Sequence, residues 1–310
     1  MLGALIIDKP AGCTSHDVVA RVRRATGTRR VGHAGTLDPF ATGVLVCCIG
    51  RATRLVQFLV GLDKEYIATV RLGYATDTQD CTGQQITPLR TSNAQSLEDL
   101  SQALSQFTGP QLQTPPMFSA KKIGGERLYR AARAGREVRR EPASIVVYSM
   151  NLITDTEPVL SSNEDGTRDF RMQVRCSSGT YVRTLAHDIG QRLGVGAHLS
   201  ELRRTEVGDF RIANALNLEE LERMTDDGLS ETLVGASDIL AHLPVVILDD
   251  KRIKLAITGR AFSLSDEEAA NAGAQSLRLC DREGQLVGVG EYDSTLRLVK
   301  PRVVMAGGEV

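Results

Sequence analysis

Residues 32–45 read GHAGTLDPFATGVL, and the apolar run at their end continues as VLVCCI to Ile49. This junction constrains the fold more than any other stretch. An unbroken apolar run of that length has no helical period and reads as a buried strand. The chain must reach it through a loop that sets Gly32, Gly35, Pro39 and Gly43 around one carboxylate, Asp38. A residue before proline is pushed into extended geometry, and Asp-Pro commonly opens a turn. The glycines suit such a turn, and they also let another backbone approach closely. The local residues alone favour a turn over an acid held against a substrate.

Periodicity organises the rest of the chain. Ala4–Ile7 reads as a short buried strand. Thr14 with Asp17 fits a capping box, and the helix after it carries Val18, Val19 and Val22 on one side and Arg21 and Arg24 on another. Tyr66–Leu72 alternates as a strand does, and Ile145–Leu152 and Phe170–Cys176 also read as strands. Leu97–Phe107 is expected to be helical, with Leu97, Leu100 and Leu104 on one face. Leu185, Ile189 and Leu193 form a second helical stripe that ends at Gly194. The basic, Gly-containing stretch from Gln111 to Pro142 reads as an insertion, and the acidic segment Leu218–His242 as a helical linker. After Pro244, short strands are expected at Val245–Leu248, Ser276–Cys280, Leu286–Tyr292 and Leu296–Val299. They point to a small all-β domain of roughly 65 residues.

Composition narrows the function. With 42% hydrophobic and 24% charged residues, the chain is ordinary for a soluble globular protein. No apolar run approaches the length of a membrane span, and the start, MLGALIIDKP, lacks the basic lead of a signal peptide. A cytoplasmic, non-membrane protein is expected. The 6 cysteines form no CxxC pair and read as reduced thiols rather than a zinc site. No GxGxxG, GxxxxGK[ST] or HExxH occurs, so no nucleotide, phosphate or zinc cofactor is expected. The net charge of −1 conceals basic patches over residues 1–60 and 121–140. They suit phosphate contacts as well as they suit ordinary solvated faces. Ser15, His16 and Asp17 supply the members of a hydrolase triad, but neighbours on a helix do not face each other, so a helix cap is the better reading. Asp77–Gly83 lacks the spacing and closing Glu of a calcium loop and reads as a polar turn.

Several motifs, taken in order, are more specific than any one alone. They are IIDKPAGCTSHDVV at 6–19, the 32–45 loop continued by GVLVCCIGRATR, DKEYIATVRLG at 63–73, PPMFSAKKIGGERLYRAARAG at 115–135, and CSSGTYVRTLAHDIGQRLGVGAHLSELRR at 176–204. This order resembles the TruB family of tRNA pseudouridine synthases, of the bacterial stand-alone type. The resemblance covers most of residues 4–210, and the C-terminal part resembles the family's small RNA-binding PUA-like domain. It implies an α+β pseudouridine-synthase fold with a mixed, largely antiparallel central sheet flanked by helices. The catalytic domain is expected over 1–242, with a thumb insertion at about 114–142, and the PUA-like β domain over 243–310.

The activity implied is isomerisation of uridine 55 in the T-loop of tRNA to pseudouridine. The uracil is detached at N1, turned and rejoined through C5, which requires no ATP, redox cofactor or metal. By the same resemblance Asp38 is the catalytic carboxylate that assists cleavage at C1′; attack on the sugar, attack on the base and a glycal route all stay open. Arg183 is its expected partner, because a nearby guanidinium favours the charged carboxylate. Tyr66 matches the tyrosine that stacks on the flipped-out uracil, although spacing alone makes it a half-buried strand tyrosine. His33 matches the histidine that enters the tRNA loop where the base has left. Tyr181 and Leu202 match positions that hold the base and close the pocket. Lys9 and Pro10 match a DKP motif read as structural support. If Glu126–Ala134 is helical, Arg127, Arg130 and Arg133 line one stripe of a thumb that closes over the T-arm. Phe118 and Arg54 depart from the Tyr and Lys common in relatives. The expected partner is free tRNA bound through its T-arm, without guide RNA, because the guide-dependent branch is expected to lack the thumb. Asp38, Tyr66 and Arg183 together argue against a non-catalytic tRNA-binding module. A monomer is the expected state.

Overall fold

A computed structural model describes residues 1–90, 96–119, 121–155, 157–273 and 276–305, apart from the side chains of Arg127 and Arg133. Seven longer strands and four longer helices frame residues 1–207. These are β1 (Gly3–Lys9), α1 (Ser15–Ala25), β2 (Thr42–Ile49), β3 (Lys64–Leu72), α2 (Leu97–Ser105), β4 (Gly109–Gln113), α3 (Leu128–Arg133), β5 (Ala143–Leu152), β6 (Arg168–Cys176), α4 (Val182–Arg192) and β7 (Ala197–Val207). The sheet runs β1-β2-β7-β3-β6-β5-β4, with the short strand Leu216–Asn217 beside β1. Its pairings are antiparallel except for β2 with β7 and β1 with Leu216–Asn217. The sheet is therefore mixed and largely antiparallel, as the resemblance implied.

Strand β2 shows why its sequence is continuously apolar. Val44, Val46 and Cys48 pack in a cluster with Ala4, Ile6 and Phe210. Leu45, Cys47 and Ile49 pack on the other face with Leu5, Ile7 and Val18. Alternation would put polar groups into one of those cores, at a cost only hydrogen bonds could offset. Strand β3 has one buried face only, and its burial alternates along its length. Helix α1 starts at the expected capping box, with Thr14 and Asp17 bonding each other's backbone N–H.

Gly43 sits where β2 runs parallel to β7, opposite Arg204. Its φ is +105°, and a Cβ there would lie 2.1 Å from the Arg204 carbonyl oxygen. Gly12 also has a left-handed φ, but a Cβ there meets nothing within 4 Å. Gly43→Ala is expected to cost about 3 kcal/mol, and Gly12→Ala about 1 kcal/mol. Chemical denaturation of both variants checks this; equal losses would mean that close approach adds nothing to the backbone penalty.

Three expectations need correction. Leu97 is exposed, and the buried stripe of α2 is Leu100, Ala103 and Leu104, because the helix starts there and only its later turns meet the sheet. Residues 218–242 are not a free linker. Two short helices, Leu218–Arg223 and Asp226–Thr232, bury Leu218, Leu221 and Leu229 against α1 and β1. Val234–Gly235 then pairs with β1. The C-terminal domain is not all-β. It contains β8 (Val245–Ile247), α5 (Asp250–Ile257), β9 (Ser276–Cys280), β10 (Leu286–Asp293) and β11 (Leu298–Val304), and a further helix at Asp266–Asn271. Its sheet runs β8-β9-β10-β11 and ends at Phe262–Ser263.

This domain is docked, not merely tethered. Cys280, Val289, Val303 and Met305 share a cluster with Ala4 and Val46 of the large sheet. Arg54 Nη1 donates to the Val304 carbonyl at 2.8 Å. Among the described residues no helix is long and apolar enough to cross a membrane.

Candidate active site

Asp38 is held by a loop that four separate elements pin. Ser15, at the start of α1, accepts from the Leu37 N–H at 2.9 Å and donates to the Leu37 carbonyl at 3.2 Å. Lys9 is fully buried, and its Nζ donates to the carbonyls of Pro10 (2.8 Å) and Pro39 (3.3 Å). The Gly12 N–H also reaches the Pro39 carbonyl, at 2.9 Å. Arg204, buried on β7, donates to the Gly35 and Val44 carbonyls. The Ala41 N–H closes the expected Asp-Pro turn on the Asp38 carbonyl at 3.1 Å. Ser15 is thus no triad member, but it fixes the residue next to the acid.

Arg183 lies in the first turn of α4, where a cation opposes the helix dipole and needs a counter-charge. It has two. Nε meets Asp38 Oδ2 at 2.9 Å, and Nη2 donates to Asp38 Oδ1 at 3.2 Å, a bidentate fork. Nη1 lies 3.4 Å from Asp80 Oδ2. The remaining donors reach the Thr78 carbonyl (2.9 Å) and the Phe118 carbonyl (2.8 Å). Burial pushes the Asp38 carboxyl above the ordinary carboxylate range; Arg183 pulls it down, and Asp80 pushes it up again. The net direction is upward although Arg183, the expected partner, favours the charged form. The guanidinium offsets the desolvation without cancelling it.

Asp80 was missed in the sequence. Its segment is a polar turn, as expected, with Asp80 Oδ1 accepting from Thr78 Oγ1, Thr82 N–H and Thr82 Oγ1. That leaves Oδ2 for Arg183. No local pattern reveals this, because the partner is far away in sequence.

A cavity of about 250 Å³ opens above the pair, and Asp38, Tyr66, Tyr181, Arg183 and Leu202 all line it. Tyr66 is buried on β3, paired in register with Arg204, and burial pushes its hydroxyl above its usual range while Arg204 opposes the shift. Tyr181 caps α4, and the Gln113 side chain clamps its backbone. Gln113 Nε2 donates to the Tyr181 carbonyl at 3.0 Å, and Gln113 Oε1 accepts from the Tyr181 N–H at 2.8 Å. Lys64 also lines the cavity. Its Nζ donates to the Val60 and Leu62 carbonyls. Burial and the nearby Arg204 lower its pKa to about 8.

His33 stands outside this lining, on a short strand, Val31–His33. Its ring packs edge-on to His16 with centroids 5.6 Å apart. Burial, then the neighbouring His16, holds it below the ordinary histidine range. The segment 122–133 differs from the helix expected for a thumb. Glu126–Arg127 pairs with Lys122–Ile123 as a small hairpin turned by Gly124 and Gly125, and α3 begins only at Leu128. Arg127 therefore precedes the helix, because paired glycines with left-handed φ make a hairpin turn there; its side chain and that of Arg133 lie outside the description. Arg130 is on α3 and exposed.

The comparisons agree with this architecture. Residues 23–182 match the model of the TruB family pseudouridylate synthase N-terminal domain, and residues 183–242 match that of the tRNA pseudouridylate synthase B C-terminal domain. The chain is 40% identical over 305 residues to a tRNA pseudouridine synthase B of Bacillus velezensis, covering 98% of this chain and 97% of that one. It is 44% identical over 298 residues to the protein of that name in Geobacter sulfurreducens, covering 94% and 93%. Among solved structures, a chain of a Cbf5-Nop10-Gar1 complex superposes with a TM-score of 0.72 at 26% identity, covering 99% of this chain and 84% of that one. A chain of an H/ACA RNP bound to a substrate RNA containing 2′-deoxyuridine has a TM-score of 0.73 at 24% identity, covering 99% and 86%, a likeness of fold. Relatives this similar over nearly the whole chain, and family domains spanning the loop, the cavity and α4, lead to one conclusion: the chain belongs to the TruB family of pseudouridylate synthases.

Proposed function

We propose that the chain isomerises uridine 55 in the T-loop of tRNA to pseudouridine, acting on free tRNA without a guide RNA. The observation that carries this reading is the Asp38–Arg183 fork at the floor of a cavity walled by Tyr66, Tyr181 and Leu202. The uridine is flipped out of the loop into that cavity. Unstacking costs a few kcal/mol, which stacking on Tyr66 and contact with Leu202 offset. The ionised carboxylate of Asp38 then meets the sugar at C1′ and assists cleavage to N1. The freed uracil turns between the same walls and rejoins through C5. His33, which lies outside the cavity lining, occupies the loop position that the base has left.

Phosphate contacts fix the register of such a complex. The thumb supplies them through Arg127 and Arg130, with the C-terminal domain as a second RNA-binding surface. Changing both arginines to Glu is expected to weaken tRNA binding about tenfold near physiological salt. The slope of log affinity against log salt should become shallower by about 1 per lost contact. Filter binding across a salt series reads this; an unchanged slope would remove the thumb from the interface.

Release of tritium from C5-labelled uridine in a free T-arm transcript tests the activity. Release with no other component present is the expected result. Release only after a guide RNA or a partner protein is added would mean a guide-dependent enzyme instead.

A further inference from the structure

Ser119 ends the PPMFS stretch at the root of the thumb. It is only 4% exposed and lines the cavity beside Asp38 and Tyr66. Its Oγ has no hydrogen-bond partner among the described residues. A buried hydroxyl without a partner is costly to fold, and structures tolerate one mainly where it has another task. Its backbone is firmly placed. The Ser119 carbonyl accepts from the Tyr129 N–H at 3.1 Å, tying it to α3. The preceding Phe118 carbonyl accepts from Arg183 Nη2, and the same nitrogen holds Asp38 Oδ1. Ser119 therefore follows directly on the carbonyl that shares Arg183 Nη2 with Asp38, and it lines the same cavity with a buried hydroxyl that has no partner among the described residues.

Resting on the uridine reading above, we propose that Ser119 Oγ hydrogen-bonds the ribose 2′-hydroxyl of the target nucleotide. In that reading Asp38 meets the sugar at C1′, and the 2′-hydroxyl is borne by the adjacent carbon. A hydroxyl can both donate to and accept from another hydroxyl, so the pairing needs no fixed protonation state. The 2′-hydroxyl is also the group by which a protein distinguishes RNA from DNA at a given position. Ser119 is a substrate-binding residue that reads the sugar while the thumb is anchored to its backbone.

The test is a double-mutant cycle in binding. Asp38→Asn protein, with and without Ser119→Ala, is titrated with T-arm RNA carrying uridine or 2′-deoxyuridine at the target position. The Asp38→Asn background keeps turnover from distorting affinity. Ser119→Ala should weaken the uridine RNA about fivefold, and the deoxy substitution should weaken the serine protein by the same factor. Combining the two should cost nothing further. No loss on uridine RNA, or equal losses on both sugars, would overturn the proposal. Thermal unfolding of the single Ser119→Ala variant separates a structural role. An unchanged or raised Tm is expected, since no protein partner is lost; a drop of several degrees would also overturn it. Tritium release by the wild type on the same uridine RNA keeps the two readings apart, because it reports the activity and not the sugar contact.

Discussion

Asp38→Asn should abolish turnover, by at least about 10⁴-fold or ~5.5 kcal/mol of transition-state stabilisation, while tRNA affinity stays within about threefold. The substitution keeps the size and shape of the side chain and removes only its charge. Arg183 does not collapse, because Asp80 Oδ2 and the carbonyls of Thr78 and Phe118 still hold it. The loop also survives, since Ser15, Lys9, Gly12 and Arg204 pin its backbone and not its carboxylate. Single-turnover tritium release and filter binding on the same preparation check the two halves separately. Activity within tenfold of wild type would remove Asp38 from the chemistry. Affinity lost in step with activity would make it a binding residue. In the wild type, the carboxylate must be ionised to act, and burial raises the pH at which it ionises. The acid limb of kcat/KM should therefore lie above the ordinary carboxylate range, with activity rising as pH increases through it.

How far the sequence led is visible in particular residues. The continuous run of β2 and the alternation of β3 report burial on two faces and on one, and both read correctly because that pattern is local. The capping box of α1 is equally local. Asp38 is different. Its turn geometry was readable, but its charge partner is 145 residues away, and only the ordered motifs joined the two. Asp80 and Gln113 escaped for the same reason. Each looks like polar loop or edge-strand chemistry until the fold brings α4 against it. The errors at Leu97, Arg127 and the 218–242 segment share another cause. Hydrophobic spacing and charge run predict which residues suit a helix, but tertiary packing decides which of them are buried, and the glycine turn decides where the helix after Arg127 begins. The docking of the C-terminal sheet through Cys280, Val289 and Val303 follows from a shared core that strand-by-strand reading does not expose.

Arg183→Met should lower stability by about 3 kcal/mol near neutral pH, because it strands carboxylates in a buried site. The loss is unequal between them. Asp80 has a side chain only 5% exposed, whereas that of Asp38 is 34% exposed and can take up water in place of the guanidinium. Most of the cost therefore comes from Asp80, so Arg183→Met with Asp80→Asn should recover more than half of it without recovering activity. The pH dependence follows from Asp38. Its carboxyl already titrates above the ordinary range when folded, and losing Arg183 removes the influence that pulls it down. The folded protein then holds a proton that the unfolded chain releases, so stability falls as pH rises from the ordinary carboxylate range through the folded value. The deficit of Arg183→Met relative to wild type should be smallest at the acid end, in the ordinary carboxylate range, and should grow toward neutrality. Urea unfolding of the wild type and both variants at acid and neutral pH gives the whole comparison. A deficit that is independent of pH, or that shrinks as pH rises, would mean that Arg183 stabilises the fold through packing and its carbonyl contacts and not through the charge of Asp38. A double variant no more stable than Arg183→Met would take Asp80 out of the electrostatic network.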